Sequence, residues 1–471
     1  MPDTPPDSRY TTIRLVTILC VIAFAVAYGF QCVKNGRAVK PPKETVAGAK
    51  KEKLGNDFTA FYSAGEQARL GQNIYDWAST SMAHRPYEYP PLFAVFPMMP
   101  LSYFPFNTAL AIFYALNVLL LAASFWMLRR LFWPAYAADT LPKSAWQWPL
   151  VGLLVSLALS WRYIHSNTNE SNANLYMLFL LTLAFYLDSI WKNGTTTTPR
   201  GGLASGLAVA MATAVKLTPG LFGVYFLWSR RGWSMLGGAL GLVLFLALVP
   251  ALFLGWETNL KYLDAYKSFA LGKSTGAEYQ ATDDPNRIHI GRPRQLDPTQ
   301  SDSPQGVGCS MRGVLTSLLT PAIALRKNGD RPRTVNIATL EPKQVGTIAN
   351  GFALILLLVT IALTWSERSR QTIHAAALSW SLVVLTMALI SPLTRIAHLV
   401  VLVIPIATLV SLIQQKQLSG SVKILAPVAL VLLVACSATN EYLHAIGATT
   451  FSLLVLYVAL ALALRNQMAE K

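Results

Sequence analysis

Several short polar segments, far apart along the chain, carry side chains suited to moving a proton or holding an anion. Asn56-Asp57 opens a run in which Phe58, Phe61 and Tyr62 recur at helical spacing, so Asp57 stands at the N-terminal end of a short amphipathic helix. A carboxylate there serves the positive helix end as an N-cap. Held at the mouth of a cavity, it can also take a proton from an incoming hydroxyl. Tyr87-Glu88-Tyr89-Pro90-Pro91 follows, with Glu88 as a weaker acid/base candidate and two tyrosines that a membrane interface uses as anchors. In the polar stretch from Ser166 to Asn174, the amides of Asn172 and Asn174 match sugar hydroxyls or solvate a turn. Lys216-Leu217-Thr218-Pro219 and the stretch from Ser391 to His398 supply Lys216, Arg395 and His398, cations and donors suited to a lipid-linked phosphate at the membrane edge. The competing reading of Lys216 and Arg395 is snorkelling toward lipid headgroups. His165 and His398 lack companions at ligand spacing, so no metal site is expected.

The elements that must position these residues are membrane spans. Of 471 residues, 53% are apolar and 13% charged, too apolar for a soluble chain and incompatible with disorder, collagen or a coiled coil. The apolar residues fall into separate blocks of about 17–22, the length that crosses a bilayer. Thr12–Val33 follows Arg9 and Arg14 without a cleavage site and reads as a retained anchor with a cytoplasmic N-terminus. Further blocks run over Asn107–Leu128, Pro149–Ile164, Ala173–Trp191, Gly201–Trp228, Met235–Leu254, Ile348–Trp365, Ala375–Ile390, Ala397–Ile413, Ile424–Cys436 and Ala448–Leu464. Prolines between Leu92 and Phe104 indicate a re-entrant or interfacial segment ahead of the second span.

Gly201–Trp228 is too long for one span and is broken by Lys216 and Pro219, costly groups in lipid unless they line a cavity. Charge separates a single tilted helix from a re-entrant hairpin. With a hairpin, Arg230, Arg231, Arg368, Arg370, Lys416, Lys423, Arg465 and Lys471 all fall inside and the short outer loops keep Arg395; with a single helix the bias inverts. The hairpin puts every polar segment above on one outer face, together with two long loops, 34–106 and 255–347. The expected architecture is therefore an all-α polytopic membrane protein, one integral-membrane domain over 1–471. About 11 transmembrane segments include a broken or re-entrant helix pair, and the outer loops carry short amphipathic helices. The net charge of +16 reports topology here, and no nucleic acid partner is implied. The four cysteines are too dispersed for a disulfide scaffold; a bridge between Cys32 and Cys309 stays open, with two plain cysteines favoured.

The ordered set Asn56-Asp57-Phe58, Tyr62, Gly71, Tyr75-Asp76, Tyr89-Pro90-Pro91-Leu92, Lys216-Leu217-Thr218-Pro219, Ser391-Pro392 and His398 resembles glycosyltransferase family 87, within the GT-C superfamily. The likeness runs from Thr12 to about Ile413. It implies a GT-C-like bundle in the plasma membrane and an inverting transferase working on the non-cytoplasmic face without a cofactor. The donor would be a polyprenyl-phosphate-linked sugar, usually mannose, and the acceptor a glycolipid or glycan, with membrane lipids as the surrounding partners. On this likeness Asp57 is the base and Lys216 and His398 lie near the donor phosphate; by their residue types and places in the polar segments, Asn56, Tyr62, Glu88, Tyr89, Asn172 and Asn174 are candidates for binding substrate. Arg395, and Arg312 of the long cationic loop, are further candidates for the phosphate. Departures from the family pattern at Ser171-Asn172-Ala173-Asn174, at Gly308-Cys309-Ser310 and at Arg395 leave the sugar and acceptor open. Broken helices with membrane cations also mark transporters, so a flippase of lipid-linked sugars is the alternative.

Overall fold

The computed structural model describes residues 16, 19, 22–24, 26–35, 57–76, 86–133, 148–193, 196–275, 288, 290, 308–321, 334–366, 372–392, 394–437 and 441–469. Asn56, and the loop cations Arg287, Arg292, Arg294, Arg326, Lys327, Arg331 and Arg333, lie outside the described residues. Helices dominate. Among the described residues, strand structure is confined to a two-stranded turn pairing Lys192–Asn193 with Thr196–Thr197. The protein is an all-α polytopic membrane protein. Six described helices are long and apolar enough to cross a membrane: α3 (Phe106–Phe132), α8 (Gly232–Leu254), α11 (Pro342–Thr364), α12 (Ile373–Ile390), α13 (Ile396–Gln414) and α16 (Ala448–Ala469). Between and before them lie α1 (Asp57–Arg69), α2 (Pro91–Leu101), α4 (Pro149–Glu170), α5 (Asn174–Ile190), α6 (Pro199–Val215), α7 (Gly220–Trp228), α9 (Trp256–Thr275), α10 (Met311–Leu319), α14 (Val422–Ser437) and α15 (Glu441–Ala445).

Helices α12 and α13 are buried over most of their length and form the centre of the bundle. Helix α11 is exposed along most of its apolar face, as a helix facing lipid is. The helix ends sort into two layers. In one, Trp133 after α3 bonds Gln414 at the end of α13 (2.6 Å), Trp228 bonds Thr364 (2.9 Å), Arg231 is ion-paired with Asp188, and Gln467 bonds the Gln417 carbonyl (3.0 Å). The opposite layer holds Asp57, the turn between α4 and α5, Lys216 and the start of α13, joined by the bonds described below.

The α6–α7 pair is a hairpin. Helices α6 and α8 pack side by side, with Gly202 against Trp233, Gly206 against Ser234 and Gly238, Gly237 against Leu203, and Gly241 against Ala210 and Leu207. Both sequences advance together, so the two helices run parallel, and the intervening α7 must return from the far end of α6 to its beginning. The small residues allow backbone contact: a Cβ on Gly206 would run into the Ser234 carbonyl oxygen. Helix α6 stops at Lys216, whose backbone is extended, and Pro219 begins the return. The charged tip is thus a chain reversal instead of a charge in mid-helix.

One expectation is corrected. The stretch from Ser166 to Asn174 is largely helical: α4 continues to Glu170, and only Ser171, Asn172 and Ala173 form the turn, with Ser171 at φ +50°. Its polar composition imitates a loop because Asn167 and Thr168 are buried and spend their hydrogen bonds inside the bundle, Thr168 Oγ1 donating to the Ile164 carbonyl (2.9 Å). Within the 255–347 segment lie the helices α9 and α10. Cys32 and Cys309 are free thiols, both buried.

Candidate active site

Asp57 is the first residue of α1, whose other side chains are almost all buried. Helix α1 lies directly on α2: a Cβ on Gly65 would meet the Met98 backbone. The broken course of α2, with Phe96 in an extended conformation, lets its proline-rich chain pack Leu92, Phe93, Ala94, Val95 and Met98 inward. The Tyr87–Tyr89 strip is fixed by its neighbours. Tyr75 Oη donates to the Tyr89 carbonyl (2.9 Å), Tyr87 Oη donates to the Pro90 carbonyl (2.8 Å), and the Tyr89 ring sits edge-on to Phe61 at 4.9 Å. Tyr87 is 2% exposed, so it and Tyr89 serve as internal struts instead of interface anchors.

Two hydrogen bonds and one cation–π contact lead from the acid to the cation. Asn172 Nδ2 donates to Asp57 Oδ2 (2.5 Å), and the same amide's Oδ1 accepts from Tyr89 Oη (3.1 Å). Lys216 Nζ stands 5.8 Å from the centre of the Tyr89 ring and donates to Asn174 Oδ1 (3.1 Å). Asn174 Nδ2 in turn reaches the Ala397 carbonyl (3.1 Å) and Asn167 Oδ1 (3.2 Å). Asp57, Tyr89, Asn172, Lys216 and Asn174 thereby converge from α1, the segment before α2, the α4–α5 turn and the hairpin tip. Burial, then the negative charges of Asp57 and Glu88, push the Tyr89 phenol well above its ordinary range, so it is a hydrogen-bond donor at neutral pH. Glu88, half-buried, is close enough to act on both Tyr89 and Tyr266.

The remaining candidates occupy a second, adjoining group. His398 follows Ala397, and its Nδ1 accepts the Arg395 backbone N–H (3.3 Å). The Cys309 N–H donates to the Thr394 carbonyl (2.5 Å), which brings the start of α10, and with it Arg312, to the turn carrying the exposed Arg395. Arg312, Asn350 and Pro392 line a small cavity of about 60 Å³. Burial lowers the Arg312 guanidinium from its usual value, and burial pushes the Cys309 thiol up to about 12, leaving it protonated and unreactive at neutral pH.

Tyr62 is not brought to the acid. Its Oη donates to the Phe104 carbonyl (3.0 Å) and its ring packs on Phe58 and Phe106, because five helical steps turn it about 140° away from Asp57. Residues passed over as candidates buttress the site instead. Tyr114 Oη and Ser171 Oγ are 2.6 Å apart and Thr168 Oγ1 lies 3.0 Å from Tyr28 Oη, pinning the α4–α5 turn to α3 and the end of α4 to the helical residues 26–35. A polar residue inside an apolar block, as Tyr28 and Tyr114 are, is the available signal. Among the described residues no group of His, Cys, Asp and Glu could hold a metal ion.

A model of glycosyltransferase family 87 matches residues 87–392. The chain belongs to that family. It is a membrane glycosyltransferase, and the family match takes in Tyr89, the asparagine pair, the hairpin tip and the Ser391-Pro392 turn, while Asp57 and His398 lie outside it. Among solved structures the chain is similar to ArnT from Cupriavidus metallidurans bound to undecaprenyl phosphate, with 12% identity, a TM-score of 0.42 and coverage of 95% of this chain and 78% of that one. No protein of curated function matches the chain.

Proposed function

We propose that this glycosyltransferase moves a sugar, mannose in our reading, from a polyprenyl-phosphate-linked donor to a hydroxyl of a glycolipid or glycan on the non-cytoplasmic face of the plasma membrane. The observation that carries this reading is the gathering of Asp57 and Lys216 around Asn172 and Tyr89, with Asn174 bonded to the cation, at one end of the bundle. The acceptor oxygen attacks the anomeric carbon while Asp57 takes its proton. The bond between that carbon and the phosphate oxygen breaks with its electron pair, and polyprenyl phosphate leaves as an anion. Lys216 and His398 supply a fixed cation and a donor for the developing phosphate charge, with Arg395 of the same turn as His398 and Arg312 of α10 as further cations. Attack opposite the leaving phosphate inverts the configuration at the anomeric carbon.

Charge supports the orientation. Short connections at the end away from the site carry Arg129, Arg130, Arg200, Arg230, Arg231, Lys416 and Lys423, whereas at the site end the hairpin tip and the 391–395 turn hold one cation each, Lys216 and Arg395. A labelled polyprenyl-phosphate mannose, presented with membrane glycolipid to the purified protein in liposomes, tests the reading. The expected result is a new glycosidic product of inverted configuration. Recovery of intact donor from the opposite leaflet with no product would make the protein a transporter of lipid-linked sugar and overturn the assignment.

A further inference from the structure

The amide of Asn172 contacts the acid with one end and a tyrosine with the other, and the chemistry of the three groups leaves a single way to arrange them. An ionised carboxylate only accepts hydrogen bonds, so Asn172 must turn its Nδ2 toward Asp57. Its Oδ1 then faces Tyr89, whose hydroxyl must donate. Tyr89 cannot swing aside. Its ring is wedged between Phe61 and Phe93, at 4.9 and 5.7 Å, and its backbone carbonyl is held by Tyr75. Asn172 lies in the turn between α4 and α5, which Tyr114 and Ser171 pin in place. Both supports of the carboxylate are thus fixed by packing remote from Asp57.

We propose that Tyr89 and Asn172 act as positioning residues, a one-directional hydrogen-bond relay that sets the angle at which Asp57 meets the acceptor hydroxyl, and that neither contacts the sugar. This inference rests on Asp57 being the base, and it reassigns two residues that the sequence offers as candidates for binding substrate. The acid is a side chain at a helix N-terminus with its own rotamer freedom, and the relay removes that freedom before substrate arrives, so its contribution falls on the chemical step and not on binding.

A double-mutant cycle in the purified full chain separates a relay from direct contact. Tyr89→Phe deletes only the hydroxyl and keeps the ring between Phe61, Phe93 and Lys216; Asn172→Leu keeps the volume and removes both bonds. Each single change is expected to lower kcat about tenfold or more, with the KM for polyprenyl-phosphate sugar within about twofold of the parent. Because the hydroxyl acts only through Asn172, adding Tyr89→Phe to Asn172→Leu should cost no further loss. Melting curves of all variants check that folding is retained, and for any variant that melts early, Asn172→Gln, which keeps the amide, replaces Asn172→Leu and should recover part of kcat. Multiplying losses in the double variant, or a rise in KM with kcat unchanged, would overturn the relay and return Tyr89 to the substrate. Asp57→Asn, run alongside, distinguishes the two failures: inactivity there with multiplying losses sinks only the relay, while undiminished turnover sinks the base assignment and the relay with it.

Discussion

Lys216 is the residue whose setting departs furthest from its surroundings: an ammonium at the tip of a helical hairpin, over an aromatic face and bonded to one amide. If it stabilises the departing phosphate, Lys216→Met should lower kcat/KM about a hundredfold, the usual cost of removing one donor aimed at developing charge. Lys216→Arg should recover little, because a planar fork does not reproduce a point charge seated between the Tyr89 ring and Asn174. Full activity in Lys216→Met, measured as initial rates of labelled sugar transfer, would leave the cation as a structural tie between the hairpin and α5. Asp57, Lys216 and the 391–398 turn were legible in the sequence, since charge is scarce in an apolar chain and each stands out. The use made of Asn172 was not legible, because its partner lies 115 positions away and an amide reads alike whether it meets solvent, sugar or carboxylate. Tyr62 shows the converse: it matches a family motif, yet helical geometry alone directs it to Phe104.

At the scale of elements, α1 carries the acid and is seated by the close approach of Gly65 to the Met98 backbone. Gly65→Val should push α1 off α2, costing about 1–3 kcal/mol by overpacking. A lowered melting temperature should therefore accompany a fall in kcat, even though residue 65 touches no candidate side chain. Unchanged melting and turnover would show that α1 tolerates displacement. The hairpin was readable from charge bias and a misplaced proline, and the parallel course of α6 and α8 follows from it. The length of α4 was not readable. Its last turn is as polar as a loop, and only the burial of Asn167 and Thr168 against neighbouring helices explains why it stays helical.

For the whole molecule, the two-layer sorting of helix ends makes a directional prediction. In a chain whose native cysteines are replaced, a cysteine at Arg395 should react with an impermeant thiol reagent applied from outside intact cells, and one at Lys423 only after the membrane is opened; both positions are exposed. Reversed labelling would invert the protein in the bilayer and place transfer on the cytoplasmic face. The spans were visible in the sequence as apolar blocks, but the gathering of the polar groups at one end of the bundle depends on contacts between α1, the α4–α5 turn, the hairpin and α13 that no local pattern encodes. Whether this gathered end performs proton-coupled sugar transfer is decided by Asp57→Asn. The variant keeps the size of the side chain and removes its basicity. Transfer is expected to fall by about two to four orders of magnitude with binding of the polyprenyl-phosphate donor unchanged. Transfer at the parent rate would contradict the role of Asp57 as base.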